Sequence, residues 1–457
     1  MNIKELYEFY KQHPVVTTDS RDCPEGSIFF ALKGESFDGN QFALQALEKG
    51  CALAVVDDPS VVEKAKLSTL NAQLSTRLLL VPDVLKTFKM LAREHRRQFH
   101  IPVIGITGTN GKTTTKELIR AVLAEKYNVL ATEGNFNNDV GVPKTLFRLT
   151  ADHEIAIIEM GASHPGDIRT LAETAEPTCG VITNVGKAHL QGFGSLKGVL
   201  QTKGELYQFL ATHDESVIFI NADDEQLTSI LPENAWVSPY STNPNNSDGC
   251  VVGEVIKNHT PHTPFLHLRW CENGLDLEER GEEQQWYEIQ TQLVGDYNIQ
   301  NVLAAVTVGL QFAVAPGQIC HAVEHYKPSN NRSQLSETAS NHLIVDAYNA
   351  NPTSMEAALE NFRQMAVSPK MVIIGEMREL GSSSDEEHRH IVKMLKKCQF
   401  DSVWLIGDAY ADIKCHYRKF HDIDEAKAAI AEEHPEGFHI LIKGSNSTRL
   451  WQLPELL

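Results

Sequence analysis

The sequence predicts an α/β chain built in three units. Short apolar runs rich in Val, Ile and Leu alternate with longer stretches of helical periodicity, the pattern of buried parallel strands covered by helices. The length, 457 residues, favours three cores over one at about 150 residues per domain. Two proline-marked breaks, at His100-Ile101-Pro102 and Ala315-Pro316-Gly317, divide the chain into 1–99, 100–313 and 314–457.

In the first unit strands are expected at 27–32, 52–56 and 77–81, with a helix near 41–49 and another from Val84 to Gln98. The second unit opens on Val103-Ile104-Gly105-Ile106-Thr107 and continues through strands at 154–158, 180–183 and 216–220. A polar, turn-rich stretch at 241–249 precedes alternating segments that predict a peripheral antiparallel ribbon, and a helix spans about 299–312. The third unit has strand candidates at 342–345, 371–374, 402–406 and 439–442. No repeat of fixed period and no sustained low-complexity tract interrupts this order.

Composition narrows the function. With 41 Lys and Arg against 60 Asp and Glu, the net charge of −19 repels phosphate backbones and anionic lipid surfaces. The eight cysteines show no CxxC or zinc-knuckle spacing. The N-terminus carries charge where a signal peptide needs an apolar stretch, and no run of 18 apolar residues occurs. These features predict a cytoplasmic protein with reduced thiols, no nucleic-acid partner and no membrane insertion.

Thr107-Gly108-Thr109-Asn110-Gly111-Lys112-Thr113-Thr114-Thr115 lies between a buried strand and an amphipathic helix carrying Leu118, Ile119, Val122 and Leu123. This is the context of a phosphate loop. Glycines turn backbone N–H groups around a polyphosphate, the helix N-terminus adds its dipole, Lys112 supplies a cation and the Thr113 hydroxyl a ligand for Mg²⁺. The spacing is the shorter Gly108-x-x-Gly111-Lys112-Thr113, because position 106 is Ile. The chemistry it predicts is ATP or GTP binding.

Ligands of doubly wound sheets bind beyond the carboxyl ends of the strands. Glu159 ends one central strand and His189 follows another, so both are candidates for a metal beside the phosphates. Lys203 shares a helix face with Leu196, Val199, Leu200, Leu206 and Leu210. A lysine there must snorkel, find an anion or be chemically altered.

Three further runs are specific. Thr132 to Pro143 (TEGNFNNDVGVP), Thr183 to Leu190 (TNVGKAHL) and Asp346 to Met355 (DAYNANPTSM) resemble the Mur ligases. Asp19-Ser20-Arg21, the run Gly26 to Gly34 and Phe37-Asp38-Gly39 are similar to the uridine-nucleotide domain of that family, so the resemblance spans all three units.

The resemblance implies a UDP-sugar domain at 1–99, a central P-loop ATPase domain with a mostly parallel sheet at 100–313 and a C-terminal Rossmann-like ligase domain at 314–457. The Asp346–Met355 run points to the branch that joins D-alanyl-D-alanine to UDP-N-acetylmuramoyl-tripeptide in peptidoglycan precursor synthesis. There ATP phosphorylates the terminal carboxylate, and the dipeptide amine displaces phosphate. A carboxylate is a poor acyl donor, whereas phosphate leaves readily, so the site must neutralise charge on the transferring group.

By the same resemblance Gly108, Thr109, Asn110, Gly111, Lys112, Thr113 and Thr114 hold the phosphates, and Asn298 and Asn301 recognise adenine. Arg332 and Asp346 make closing contacts around ATP. Thr113, Glu159, His189 and a carbamylated Lys203 ligate Mg²⁺. Ser20, Arg21, Asp38, Gly39, Asn137 and Asn138 face the UDP-muramoyl-peptide, and Asn349, Asn351 and Ser354 lie toward the dipeptide. Three positions depart from the family pattern: Tyr297 stands where His is common, Asn331 precedes Arg332 where Gly is usual, and Asn446-Ser447 follow Lys443-Gly444-Ser445 in place of an Arg-Gly type. A monomer is expected.

Two other functions compete. One is another amide ligase of this fold, of muramoyl-peptide or folylpolyglutamate type; the Asp346–Met355 run argues against it. The other is a non-catalytic, nucleotide-dependent UDP-sugar-binding protein, against which Lys112, Glu159, His189 and Lys203 all stand intact. No N-K-x-D guanine motif supports a GTPase switch, and no short motif separates a tripeptide ending in lysine from one ending in diaminopimelate.

Overall fold

The structure, a computed structural model, describes residues 1–34, 36–67, 72–244, 251–257, 264–272, 284–328 and 334–457. The chain forms two compact units, Met1–Gly105 with Asn128–Met160 and Arg169–Pro177, and Ile106–Tyr127 with Gly161–Ile168 and Thr178–Leu457. Three α/β sheets of four, nine and six strands are distributed over them.

The first sheet is parallel throughout, in the order β1 (Val16–Thr17), β2 (Ile28–Phe30), β3 (Leu53–Val56), β4 (Leu78–Leu80). Its strands are apolar on both faces, so each face needs a cover. Ile28, Phe30 and Val55 pack against helices Ile3–Gln12 and Val84–Arg96, while Phe29, Ala54 and Val56 pack against helix Ala43–Glu48. The helix expected at 41–49 begins as a 3-10 turn, Gly39–Phe42, because Asp38 caps that turn by accepting from the Asn40 N–H.

The second sheet contains β5 (Val103–Thr107), β6 (Val129–Ala131), β7 (Ile155–Glu159), β8 (Cys179–Ile182), β9 (Val217–Asn221), β10 (Trp236–Ser241), β11 (Val251–Val255), β12 (Phe265–Glu272) and β13 (Tyr287–Val294). Their spatial order is β13-β12-β11-β10-β9-β8-β5-β7-β6. Strand order reverses at β5, which makes its carboxyl end the expected ligand position. β11, β12 and β13 are antiparallel and form one edge, as the alternating pattern predicts. The turn-rich stretch is partly a strand, since Ser241 ends β10, and residues 245–249 lie outside the described ones.

Helix Ile299–Gln311 packs on helix Lys112–Ala124 and on β9, β10 and β11. The boundary expected at 313/314 falls just before helix Pro316–His325. Pro316 occupies the first turn of helix Pro316–His325, where its missing N–H costs nothing, and that helix covers β13 and helix Lys112–Ala124.

The third sheet has the order β14 (Gln334–Glu337), β15 (His342–Asp346), β19 (His439–Lys443), β16 (Lys370–Gly375), β17 (Ser402–Ile406), β18 (Arg418–Phe420), with only β14 antiparallel. Alternate residues face opposite ways: Ile344, Val372, Ile374 and Leu441 meet helices Pro352–Gln364 and Ser384–Cys398, and Leu343, Ile373, Ile440 and Ile442 meet helix Ile423–Glu433. Among the described residues no helix is long and apolar enough to cross a membrane.

Candidate active site

The loop after β5 has the form its sequence predicts, and two glycines make that form possible. Gly108 has φ +141°, and a Cβ there would stand 2.0 Å from Thr183 Oγ1. Gly111 has φ +80°, and a Cβ there would stand 2.6 Å from Asn301 Oδ1. Only glycine meets both conditions. Residues 112–124 then turn into a helix whose buried face carries Thr113, Thr115, Leu118, Ile119, Val122 and Leu123.

The segment after β8 buttresses the loop. The Thr109 N–H donates to the Asn184 carbonyl at 2.9 Å, and the Asn110 N–H to Asn184 Oδ1 at 2.9 Å. Asn184 Nδ2 donates to the Asn110 carbonyl at 2.9 Å, and Thr183 Oγ1 to the same oxygen at 2.6 Å. Lys112 Nζ donates to the carbonyls of Gly108 and Thr109 at 2.8 and 3.0 Å, which holds its charge over the loop. Asn184 carries no role in the sequence reading, although it lies inside the Thr183–Leu190 run that suggested the site.

Asn298 and Asn301, expected at adenine, are both buried and bonded within the protein. Asn301 Oδ1 accepts from Thr115 Oγ1 at 3.0 Å, Asn301 Nδ2 donates to Asn298 Oδ1 at 2.8 Å, and Asn298 Nδ2 donates to the Val294 carbonyl at 2.9 Å. They tie the end of β13 to the first turn of the phosphate-loop helix.

Lys203 lies on the buried face of helix Leu196–Leu210, 2% exposed, beside Val199, Leu206 and Leu210; Leu196, expected on the same face, is exposed at the first turn. Burial first, and the nearby Lys112 charge second, hold its pKa well below the usual lysine value, against the opposing pull of Asp167 and Glu205. Its Nζ stands 5.5 Å from the centroid of the Phe193 ring. His189 meets the same ring edge-on, at 6.2 Å between centroids, so Phe193, which no sequence signal singled out, supports both. His189 Nδ1 is paired with the Glu379 carboxylate.

Beyond β15, Asp346 Oδ2 pairs with Lys443 Nζ at 2.5 Å, and these residues face each other in register across β15 and β19. Asn351 and Ser354 are used locally: Asn351 Oδ1 accepts from the Ser354 N–H at 2.9 Å and Ser354 Oγ accepts from the Asn351 N–H at 3.1 Å, a capping box on helix Pro352–Gln364. Asn351 Nδ2 also donates to Asn110 Oδ1 at 2.7 Å. Asn349 Oδ1 accepts from the Ala350 N–H. Arg332 lies outside the described residues.

In the other unit, Asn137 Nδ2 donates to Glu159 Oε1 at 2.9 Å, and the Glu159 N–H donates to Thr132 Oγ1 at 3.0 Å. Two expected site residues thus meet, with Glu159 only 2% exposed. Asn138 Oδ1 accepts from the Gly141 N–H at 2.8 Å and holds the turn into helix Gly141–Leu146. Arg21 is exposed and forks onto Asp19 at 2.7 to 3.2 Å, which lowers the Asp19 carboxyl pKa. Lys49 Nζ holds the Ser20 carbonyl at 2.6 Å. Gly39 packs so closely on the Leu32 carbonyl that a Cβ would lie 2.5 Å from it. Among the described residues no group of three or more His, Cys, Asp or Glu side chains is placed to hold a metal ion.

Comparison with known proteins gives this geometry its context. Residues 14–97, 106–309 and 331–446 match, in turn, the Mur ligase family catalytic domain, the Mur ligase middle domain and the Mur ligase glutamate ligase domain. The chain is 32% identical to the UDP-N-acetylmuramoyl-tripeptide–D-alanyl-D-alanine ligase of Bacillus subtilis, over 96% of this chain and 92% of that one. The chain belongs to the Mur ligase family. It is therefore an ATP-dependent peptide ligase of peptidoglycan synthesis. Among solved Mur ligases, MurF of Acinetobacter baumannii is similar with a TM-score of 0.82 at 28% identity, covering 96% of this chain and 92% of that one. MurF of Thermotoga maritima, solved in complex with ADP, is similar with a TM-score of 0.81 at 25% identity, covering 97% and 96%.

Proposed function

We propose that the protein joins D-alanyl-D-alanine to UDP-N-acetylmuramoyl-tripeptide in the cytoplasm, giving the pentapeptide, ADP and phosphate through an acyl phosphate. The near-full-length identity to a ligase of that name carries this reading, because it includes the C-terminal third. Residues 1–99 take the UDP-sugar. The loop at 108–114 takes the ATP phosphates, with Lys112 offsetting charge on the transferring group.

Thr113 and His189, which share a unit with the phosphate loop, suit a magnesium ion beside those phosphates: Thr113 would offer a hydroxyl in the first turn of its helix and His189 an imidazole. Burial holds the Lys203 pKa well below the usual lysine value, which favours the neutral amine, and a neutral amine adds CO₂ to give a carbamate and a proton. That reaction places an anion suited to a hard cation where the unmodified amine stood. Bound Mg²⁺ would supply charge neutralisation at the phosphoryl oxygens.

The test is ADP and phosphate release by the full chain with Mg²⁺, ATP and UDP-muramoyl-tripeptide, with and without D-alanyl-D-alanine, and identification of the product by mass. Release that needs the dipeptide and yields the pentapeptide is expected. No turnover with either the lysine or the diaminopimelate tripeptide would refute the substrate assignment.

A further inference from the structure

Non-glycine residues with positive φ are strained and persist only where their surroundings hold them. His189 (φ +49°) and Glu379 (φ +62°) are two such residues, and they grip one another. The Glu379 carboxylate holds His189 Nδ1, and the Gln191 N–H donates to the Glu379 carbonyl at 3.3 Å. Gly381, also at positive φ, lies so close to Gln191 that an added Cβ would be 3.3 Å from the Gln191 Cβ. A second tie stands beside the first: Lys187 Nζ pairs with Glu387 Oε1 at 2.6 Å. The segment after β8 is therefore clasped by the loop after β16 and by the helix that follows it.

The chemistry of an imidazole makes this clasp more than a fastening. A proton on Nδ1, donated to a carboxylate, leaves the lone pair on Nε2, the atom then able to act as a ligand. The His189 ring is held on its Nδ1 edge by Glu379 and lies against Phe193.

We propose that Glu379 is a positioning residue for His189. It fixes the Nδ1–H tautomer and the ring plane, so that Nε2 is presented as a ligand only while the loop after β16 is docked on the segment after β8. This rests on the reading of His189 as a magnesium ligand. Its consequence is that the metal requirement of the nucleotide site is set by a residue belonging to the third sheet.

The experiment uses the full chain labelled with ¹⁵N-histidine at about pH 8.5, where an unpaired imidazole is neutral. The His189 signal is identified by its loss in His189→Gln. The Nδ1–H tautomer is expected in the wild type and in Glu379→Gln, whose amide oxygen accepts the same bond. The Nε2–H tautomer, favoured by a free imidazole, is expected in Glu379→Ala. In calorimetric titrations of ADP, Glu379→Ala should need about 10–100-fold more Mg²⁺, with metal-free ADP binding unchanged and Glu379→Gln restoring most of the loss.

A wild-type tautomer or a wild-type Mg²⁺ requirement in Glu379→Ala would overturn the proposal. So would a Mg²⁺ requirement indifferent to His189→Gln. Neither peptide substrate is present in these measurements, so a shifted tautomer and Mg²⁺ requirement would uphold the proposal even if D-alanyl-D-alanine proved not to be the substrate.

Discussion

Asn351 and Asn110, 241 residues apart in the chain, exchange two hydrogen bonds through their side-chain amides, at 2.7 and 3.4 Å. One amide thus caps helix Pro352–Gln364 and also grips the phosphate loop. The two duties can be separated by substitution. Asn351→Asp keeps the acceptor for the Ser354 N–H but loses the donor to Asn110. It should melt close to the wild type while the KM for ATP rises about two- to tenfold, the worth of one hydrogen bond. Asn351→Ala should also lose about 1 kcal/mol of stability with the cap. An unchanged KM in both variants would refute the link to the loop.

Gly108→Ala forces a side chain against Thr183 and demands a conformation that L-residues rarely adopt. Strain and displacement together come to roughly 3 kcal/mol, so ADP binding should weaken on the order of 100-fold. The far-ultraviolet circular dichroism should stay that of the wild type, because the clash is confined to the loop. Calorimetry showing wild-type affinity would contradict the geometry.

Lys203→Ala removes the amine that the proposed carbamate needs. Ligation should fall by about 10²–10³, the range seen when a charge-stabilising group is lost, and short carboxylic acids should restore part of the rate. Stripping dissolved CO₂ from the wild type should slow it reversibly. A rate untouched by the substitution would leave the lysine as a packing element only.

His388 predicts a pH dependence of stability. It is fully buried, its Nδ1 donates to the Ser384 carbonyl at 2.7 Å, and its Nε2 accepts from the Met377 N–H at 3.0 Å. Burial lowers its pKa, so the fold keeps it neutral while the unfolded chain protonates near about pH 6.5. The unfolded state then binds more protons, and stability present above about pH 6.5 is lost as the pH falls, with a slope approaching about 1.4 kcal/mol per pH unit. Urea midpoints of the wild type and His388→Gln between pH 8 and 5 should diverge in slope by that proton. Parallel curves would refute the assignment.

Much of the fold is legible locally. The strands foreseen are runs of Val, Ile and Leu buried on both faces, such as Val103–Thr107 and Met371–Ile374. The strands not foreseen are short or polar: β6 has three residues, β14 is Gln-Leu-Ser-Glu, and β10 contains Pro239 and two serines. Their place is set by neighbouring strands rather than by their own pattern. In the site, the loop at 108–114 was legible because glycine spacing dictates backbone shape. The intramolecular partners of Asn301, Asn351 and Ser354 were not, because an asparagine or serine in a polar run is equally a ligand contact, a cap or a tie.

By itself the sequence determined the α/β class, the phosphate loop and the apolar helix face that carries Lys203, all properties carried by residues within a few turns of one another. Tertiary structure alone decided that Asn351 reaches Asn110, that Glu379 reaches His189 and that one phenylalanine lies against both His189 and Lys203. The reason is physical. Backbone conformation follows from local sterics, whereas the partner of a polar side chain depends on which loops the order of the strands brings to the same sheet edge.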